Sequence, residues 1–260
     1  MKKPQNYLLL ILTFCQFSNP CQLTASQVIS DGSDGAFNPV YNETIDLNTA
    51  APDGVFNFTT IHIPAGVTIR FTGNTTNTPV FFAATGSIVI EGIIDVSGRD
   101  YFGPAGPGGG AGGAGGIADS AGSDGLGPAG GRGGPQATVD LFHGNAGGGG
   151  GMATPGLIAT NRTGKNPGLP GGAVGRTALS SGVSGGGGSG GGGGCGMVFF
   201  AVPINGGLGG GGGGGLQLST PGNLTISGQI IANGGHGSTA YANGLNRFTG
   251  PGGGGSGGGN

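Results

Sequence analysis

Two stretches of this chain, 136 positions apart, repeat one pattern of apolar and glycine residues. They are VFFAATGSIVIEGIIDVSG at 80–98 and LQLSTPGNLTISGQIIANG at 216–234. The shift superposes Ile90 on Ile226 and Gly92 on Gly228. Within each short run every second residue is apolar, which is the spacing of a β-strand with one buried face. Each stretch therefore predicts strand, turn, strand, corner and strand, which together form one coil of a parallel β-solenoid.

A third copy of the pattern, VFNFTTIHIPAGVTIRF at 55–71, lies upstream, and its Ile61 matches Ile88 at a shift of 27. This shift falls within the range of stacked repeats, which is about 20 to 50 residues. Coils must stack, because an isolated coil leaves its strand edges unpaired. The sequence predicts an all-β fold, a short right-handed parallel β-solenoid of about three coils. The predicted core residues are Ile61, Ile63, Ile88, Ile90, Ile94, Leu224, Ile226 and Ile230.

Glycines stand at the predicted corners of the coils, namely Gly66, Gly92 and Gly228. A chain that bends sharply between strands needs either a positive φ or the absence of a side chain, and glycine supplies both. Pro64 presets φ at the first corner without interrupting a strand. We therefore interpret these three glycines as structural corners.

The composition is far from that of an ordinary globular domain. Of 260 residues, 70 are glycine, and only 8% are charged. Ordinary domains have about 7% glycine and 25% charged residues. Lys and Arg number 9 against 11 Asp and Glu, with no basic cluster. The charge therefore argues against nucleic acid as a partner.

Most of the glycine lies between the solenoid stretches, in an insertion at 99–214. Glycine recurs there at every third residue from 103 to 115, but the period fails at Ala118, which excludes collagen. Two alternatives remain. The insertion is disordered, because it has little apolar area to offset the entropy of ordering, or short polyglycine-II strands pack side by side. We favour a mixture, with the tracts nearest the solenoid ordered. The apolar run 196–207 is predicted to dock as an extra strand or to cover one face.

Residues 1–26 predict a Sec-type signal peptide, in which Lys2 and Lys3 precede the apolar run 8–14. That run is shorter than the roughly 20 residues that span a bilayer. We expect a secreted or cell-surface protein with no transmembrane segment in the mature chain. Cleavage leaves Cys195 as the single thiol, which excludes an internal disulfide and a cysteine-based zinc site.

The polar lead-in at 27–54 precedes the first predicted coil. Ile45 and Leu47 alternate and predict one short strand that covers the end of the solenoid. Asp31 and Asp34 loosely resemble a calcium loop, but the twelve-residue spacing and terminal Glu of an EF-hand are missing. No metal site is predicted from this segment.

The search for catalytic chemistry gives mostly negative results. Strand alternation turns His62 outward, and the polar side chains that share the outer face are Arg70, Glu91, Asp95, Arg99 and Asp100. Polysaccharide-cleaving enzymes use acidic residues on such a surface. Alternation also makes Asp95 a solvated strand residue, and His62, His143 and His236 share no metal-ligand spacing. We predict no catalytic residue, no cofactor and no metal.

The phrases DGAFNP, APDGVFNFTTIHIPAGVTIRF, NTPVFFAATGSIVIEGIIDVSG and GNLTISGQIIANGG, joined by glycine runs, carry a resemblance. Together they resemble a family of exported, glycine-rich bacterial proteins that are PE-PGRS-like or gliding-motility-like. The solenoid is more broadly similar to adhesin and autotransporter passenger domains. The resemblance implies a surface or secreted location and attaches no catalytic residue to the chain.

Three functions follow, in order of preference. The first is a secreted or cell-surface structural or adhesive protein, not an enzyme, whose partners are glycans, extracellular matrix or further copies of itself. The alternative is a pectate-lyase-like β-helix enzyme. The third is ice or crystal-surface binding, ranked last because Thr59, Thr68 and Thr72 do not repeat from coil to coil.

The predicted organisation places two coils before the insertion and one after it. The glycine-rich tail starts a second excursion with no coil after it, which predicts either truncation or completion of the last coil by a partner. The predicted segments are the signal peptide 1–26, lead-in 27–54, coils 55–98, insertion 99–214, third coil 215–234 and tail 235–260.

Overall fold

A computed structural model describes residues 29–99, 104–117, 120–127, 130–136, 147–150, 197–199 and 202–238. The predicted signal peptide, Asp100, His143 and Cys195 lie outside these ranges. The strands are β1 Gly35–Phe37, β2 Glu43–Asp46, β3 Val55–Ile63, β4 Thr68–Thr72, β5 Val80–Ala84, β6 Ile88–Ile90, β7 Ile93–Asp95, β8 Met197–Phe199, β9 Val202–Ile204, β10 Leu216–Ser219, β11 Leu224–Ile226 and β12 Gln229–Ile231. One helical turn, α1 Leu47–Ala50, interrupts them.

The strands form two parallel sheets and one small ribbon. The first sheet has the order β10-β5-β3-β6-β11, with β1 on the other edge of β3. The second has the order β12-β7-β4-β2. Every pair within these two sheets is parallel. The described chain is therefore all-β, built of parallel sheets.

The pairing register of β6 with β3 and with β11 follows the shifts read from the sequence. Ile226 pairs with Ile90 across β11 and β6, and Ile90 pairs in turn with Ile63 on β3. The copy at 216–234 is therefore a direct neighbour of the copy at 80–98, although more than a hundred residues separate them. This adjacency confirms the repeat on which the sequence interpretation depends.

The lead-in contributes more than the single strand predicted for it. Strand β1 pairs with β3, and β2 pairs with β4, where Ile45 lies opposite Phe71. The described strands thus stack at four levels, one of which the lead-in supplies. The count of about three solenoid coils stays a prediction. Leu47 does not extend β2. It begins α1, where the Asp46 side chain accepts a hydrogen bond from the Asn48 N–H, and its own side chain is fully buried.

The core lies between the two sheets and is lined by the inward residues of each level. Ile61, Ile63, Ile88, Ile90 and Ile94 are all at most 1% exposed. Phe82 lies at the centre of the core, with its ring 5.2 to 5.7 Å from four other rings. Those four are Phe37, Phe56, Phe58 and Phe71.

The level formed by β10, β11 and β12 is less buried than the levels beneath it. Strand alternation predicts that Leu224, Ile226 and Ile230 are buried in the core, but these residues are 49%, 45% and 40% exposed. The alternation that predicts burial assumes a further layer beyond each strand. Because β11 and β12 are edge strands in the described sheets, these side chains are covered on one side only.

The predicted corner glycines serve two different needs. Gly66 has φ +84° with open space around it, so it is required by backbone conformation. Gly92 has no such φ. A Cβ there would overlap the Val67 carbonyl oxygen and lie 2.6 Å from the Pro64 carbonyl oxygen. A Cβ on Gly228 would likewise overlap the Gly92 carbonyl oxygen. Glycine is needed at these two corners because successive levels approach closely.

We expect Gly92→Ala to lower the free energy of unfolding by about 2 kcal/mol, since the added methyl group overpacks two fixed carbonyls. Urea unfolding followed by circular dichroism would measure the loss. Gly66→Asn is the matched control, because asparagine tolerates a positive φ and open space receives its side chain. Equal losses in the two variants would contradict the close-approach explanation.

The described glycine tracts are ordered by backbone hydrogen bonds at every third residue. The N–H groups of Gly206, Gly209 and Gly212 donate to the carbonyls of 116, 113 and 110, each at 2.8 Å. The falling partner numbers make these two segments antiparallel. The Ser123 and Leu126 N–H groups bind the carbonyls of 114 and 111 in the same way. The described glycine segments are therefore joined to one another by backbone hydrogen bonds.

The period of three in the sequence has a structural reason. A Cβ at Gly106, Gly109, Gly112 or Gly115 would meet the backbone of the returning segment 206–214 at less than van der Waals distance. Ala111 and Ala114 lie at another position of the period and are exposed. Glycine is thus required at these four positions, which face the neighbouring segment.

The apolar run 196–207 forms a ribbon of its own. Strands β8 and β9 pair antiparallel, with Met197 opposite Ile204 and Phe199 opposite Val202. In the described part of the chain this ribbon pairs with neither parallel sheet. Among the described residues the run therefore adds no strand to the stack. The alternative, that it covers one face, stays a prediction.

Candidate functional site

Four of the polar residues predicted to share the outer face form two separate pairs. His62, on β3, lies with Nε2 3.2 Å from Oε2 of Glu91 at the corner between β6 and β7. Both side chains are about half exposed. This pair therefore joins successive levels of the stack from the outside.

The second pair joins β4 to β7, where Arg70 and Asp95 lie opposite one another. Nε and Nη2 of Arg70 donate to Oδ2 of Asp95 at 2.9 and 2.6 Å, and the Ser97 N–H donates to Oδ1 at 3.0 Å. The Asp95 side chain is only 10% exposed, whereas that of Arg70 is 55% exposed. The interpretation of Asp95 as a solvated residue is therefore wrong, because Arg70 and Ser97 cover its carboxylate.

The surroundings of Asp95 favour its charged form. Burial raises the pKa of this carboxyl, but the hydrogen bonds from Ser97 and Arg70 and the positive charge of Arg70 outweigh burial. The pKa is held below its ordinary value of 3.8. Asp95 is consequently ionised at neutral pH and is unsuited to act as a general acid, which needs a raised pKa.

A depressed pKa makes the contribution of Asp95 to stability pH-dependent. The contribution is fully present above pH 3.8 and is lost as the pH falls through the lower pKa of the folded state. We expect Asp95→Asn to lower the free energy of unfolding by about 1 kcal/mol at pH 7. The gap between the two proteins should close as the pH falls below 3.8. Urea unfolding at a series of pH values would check this, and a constant gap would contradict it.

The remaining candidates do not join either pair. Arg99 is exposed and donates its backbone N–H to the Pro104 carbonyl. His236 is exposed on the glycine-rich segment that follows β12. Asp100 and His143 lie outside the described residues. The described candidates thus form two separate side-chain pairs and not one catalytic constellation.

The lead-in acids have structural roles. Oδ2 of Asp34 accepts a hydrogen bond from the Asn57 N–H at 2.6 Å, which ties the lead-in to β3. Oδ1 of Asp31 accepts from the Ser33 N–H at 2.9 Å, and hydrogen bonds from Ser33 lower the pKa of Asp31. Within the described ranges no three His, Cys, Asp or Glu residues converge where they could hold a metal ion.

One exposed surface was not predicted from the sequence. It belongs to the terminal coil, defined here as residues 216–231. It contains no Asp, Glu, Lys or Arg, and it lies inside a charge-free stretch that runs from 177 to 246. The opposite end of the stack is acidic, with Glu43 and Asp46 exposed on the edge strand β2. The charge-free stretch could have signalled this difference from the sequence alone.

Among the described residues, no helix is both long and apolar enough to cross a bilayer. Comparisons of the chain with family models, with curated proteins and with solved structures found no match. The resemblance to exported glycine-rich bacterial proteins therefore stays a prediction.

Proposed function

We propose that this chain is a secreted or cell-surface structural or adhesive protein without catalytic activity. Its rigid part is a short right-handed parallel β-solenoid, and its glycine-rich insertion is partly polyglycine-II. The observation that carries the proposal is the in-register parallel pairing of distant repeats, as in Ile226 with Ile90. Such a stack presents a continuous outer surface, and one end of it is uncharged and apolar.

The repetition of one corner supports the solenoid form. The N–H groups of Glu91 and Gly92 both donate to the Ile63 carbonyl, at 2.8 and 3.0 Å. At the next level the N–H groups of 227 and 228 both donate to the Ile90 carbonyl, at 2.9 Å. The same bend is therefore made twice with the same hydrogen bonds, which is how a coil propagates.

The hydrogen-bond period supports the polyglycine-II form. A left-handed helix of this type has three residues per turn and no internal hydrogen bonds, so each turn offers groups to a neighbouring chain. Bonds from Gly206, Gly209 and Gly212 to one adjacent segment fit that geometry. Backbone hydrogen bonds between adjacent segments thus stabilise their ordered arrangement, although almost no apolar side chains are buried there.

The state of the outer carboxylates favours a binding role over catalysis. Glu91 and Asp95 are each paired with a cationic or ionisable side chain, and the pKa of Asp95 is lowered. Polysaccharide hydrolysis needs one carboxyl that is kept protonated and a second placed across the scissile bond. We infer that these residues stabilise the outer face, which meets glycans, extracellular matrix or further copies of the chain.

Retention of the folded chain on whole cells and on immobilised polysaccharides tests the proposal. We expect retention that heat-unfolded protein does not share, with no release of reducing or unsaturated ends from a polysaccharide panel. Release of such ends, abolished by Asp95→Asn or Arg70→Ala, would instead establish the pectate-lyase-like alternative. Absence of retention together with absence of self-association would contradict the proposed function.

A further inference from the structure

We propose that two copies of this chain associate through the open edge of the terminal coil. Strand β11 of each copy pairs antiparallel with β11 of the other around a two-fold axis near Thr225. This inference rests on the proposed solenoid form and names the self-association partner as a second copy using the same surface. Three features of the terminal coil carry it, namely its backbone groups, its side chains and its charge.

The backbone groups of the terminal coil alternate between the stack and the open edge. On β11 the Asn223 carbonyl accepts from Ile88, and the Ser227 N–H donates to Ile90, so the odd-numbered residues face β6. On a strand, successive residues direct their backbone groups to opposite sides. Leu224 and Ile226 therefore direct their N–H and C=O groups outward. No strand among the described residues lies on that side.

The same alternation holds on the second sheet. The Gln229 N–H donates to Gly92, and the Ile231 carbonyl accepts from Val96, so the backbone groups of Ile230 point to the open edge. The three residues with outward backbone groups are also those with half-exposed apolar side chains. Their counterparts one level down, Ile88, Ile90 and Ile94, are 0% exposed.

A further layer on the open edge would therefore pair the outward backbone groups and cover the half-exposed apolar side chains at once. It must supply backbone partners for Leu224 and Ile226 and apolar side chains above them. The terminal coil of a second copy offers both, since antiparallel pairing about Thr225 places Leu224 opposite Ile226 of the second copy. A two-fold interface is self-complementary in this sense. The apolar column of the core then continues from one copy into the other.

Charge distinguishes this edge from the opposite one. Native edge strands avoid pairing by carrying charged residues or proline. Strand β2 has Glu43 and Asp46 exposed at the other end of the stack, where two copies would repel each other. Strands β10, β11 and β12 carry no charge and no proline. Two copies of the chain can therefore pair through the uncharged edge without repulsion between like charges.

The test is the mass of the folded chain in solution, measured by light scattering over a concentration series. We expect twice the chain mass, falling to a single chain on dilution. Ile226→Lys places a charge on the edge and should raise the dissociation constant at least about tenfold. Ser87→Lys is the matched control, because this exposed residue directly precedes β6, one level below the edge. The same charge placed there lies outside the interface and should change the dissociation constant much less.

Ile226→Pro provides a second variant. It removes an N–H that points to the open edge, so it should also weaken association while leaving the pairing with β6 intact. Circular dichroism of each variant reports whether it folds. A single chain at all concentrations, an open-ended series of larger assemblies, or equal effects of Ile226→Lys and Ser87→Lys would each overturn the proposal.

The dimer and the proposed function can fail separately. A folded, monomeric Ile226→Lys variant that is still retained on cells or polysaccharides would support adhesion without requiring the dimer for it. A wild-type dimer that is retained on neither would support the interface and contradict adhesion to those surfaces.

Discussion

Replacing Phe82 with alanine is expected to lower the free energy of unfolding by about 3–5 kcal/mol, the largest effect anticipated for a single substitution in this chain. Phe82 is fully buried on β5, and its ring contacts those of Phe37, Phe56, Phe58 and Phe71. These rings come from three other strands, β1, β3 and β4, which occupy two other levels of the stack. Truncation would remove edge-to-face contacts and leave a cavity that the surrounding strands cannot close.

The matched control is Phe81→Ala on the same strand. Phe81 is half-buried, because strand alternation turns it away from the core that holds Phe82. We expect a loss of about 1–2 kcal/mol from its partial burial. Urea unfolding of both variants would compare them. A loss for Phe82→Ala no greater than that for Phe81→Ala would mean that the core does not lie between the sheets as described.

The second large effect is expected for Gly112→Val, at about 3 kcal/mol. A Cβ at 112 would overlap the carbonyl group of Gly209 and lie 3.0 Å from the carbonyl carbon of Gly210. Both are backbone atoms that cannot rotate away. The two segments must separate, which strains or breaks the hydrogen bonds from Gly209 to Gly113 and from Gly212 to Gly110. Overpacking and the lost hydrogen bonds both contribute to the loss.

Ala111→Val is the control for this substitution, since Ala111 is the preceding residue and its side chain is exposed. It should change stability by less than about 0.5 kcal/mol. Amide hydrogen exchange gives a local measure. In Gly112→Val the Gly209 and Gly212 amides should exchange much faster than in the control. Equal exchange rates would contradict the close packing of these glycine segments.

Much of the fold follows from the spacing of apolar residues along the chain. The shifts of 27 and 136 positions that align Ile61, Ile88 and Leu224 are the registers of β6 with β3 and with β11. The other strands of the same coil, β5 and β7, pair with β3 and β4 at shifts of 26 and 25. Alternation has a period of two, so a slip of one residue would expose a whole apolar face. The sequence therefore determines which residues pair and which of them point inward.

Other features depend on surroundings that a linear pattern does not contain. Alternation turns Asp95 outward, but only the pairing of β4 with β7 brings Arg70 against it and buries its carboxylate. Strand β1 escaped prediction because a three-residue strand that begins with glycine has no detectable period. Its pairing with β3 is a long-range contact.

The sequence by itself determined the parallel strands, the register between the copies at 80–98 and 216–234, and the glycine period. Only the tertiary structure decided that Gly92 and Gly112 are needed for close approach, and that Leu224, Ile226 and Ile230 are half exposed. The physical reason is that periodicity specifies the direction of a side chain. Whether another layer lies in that direction depends on where the stack ends.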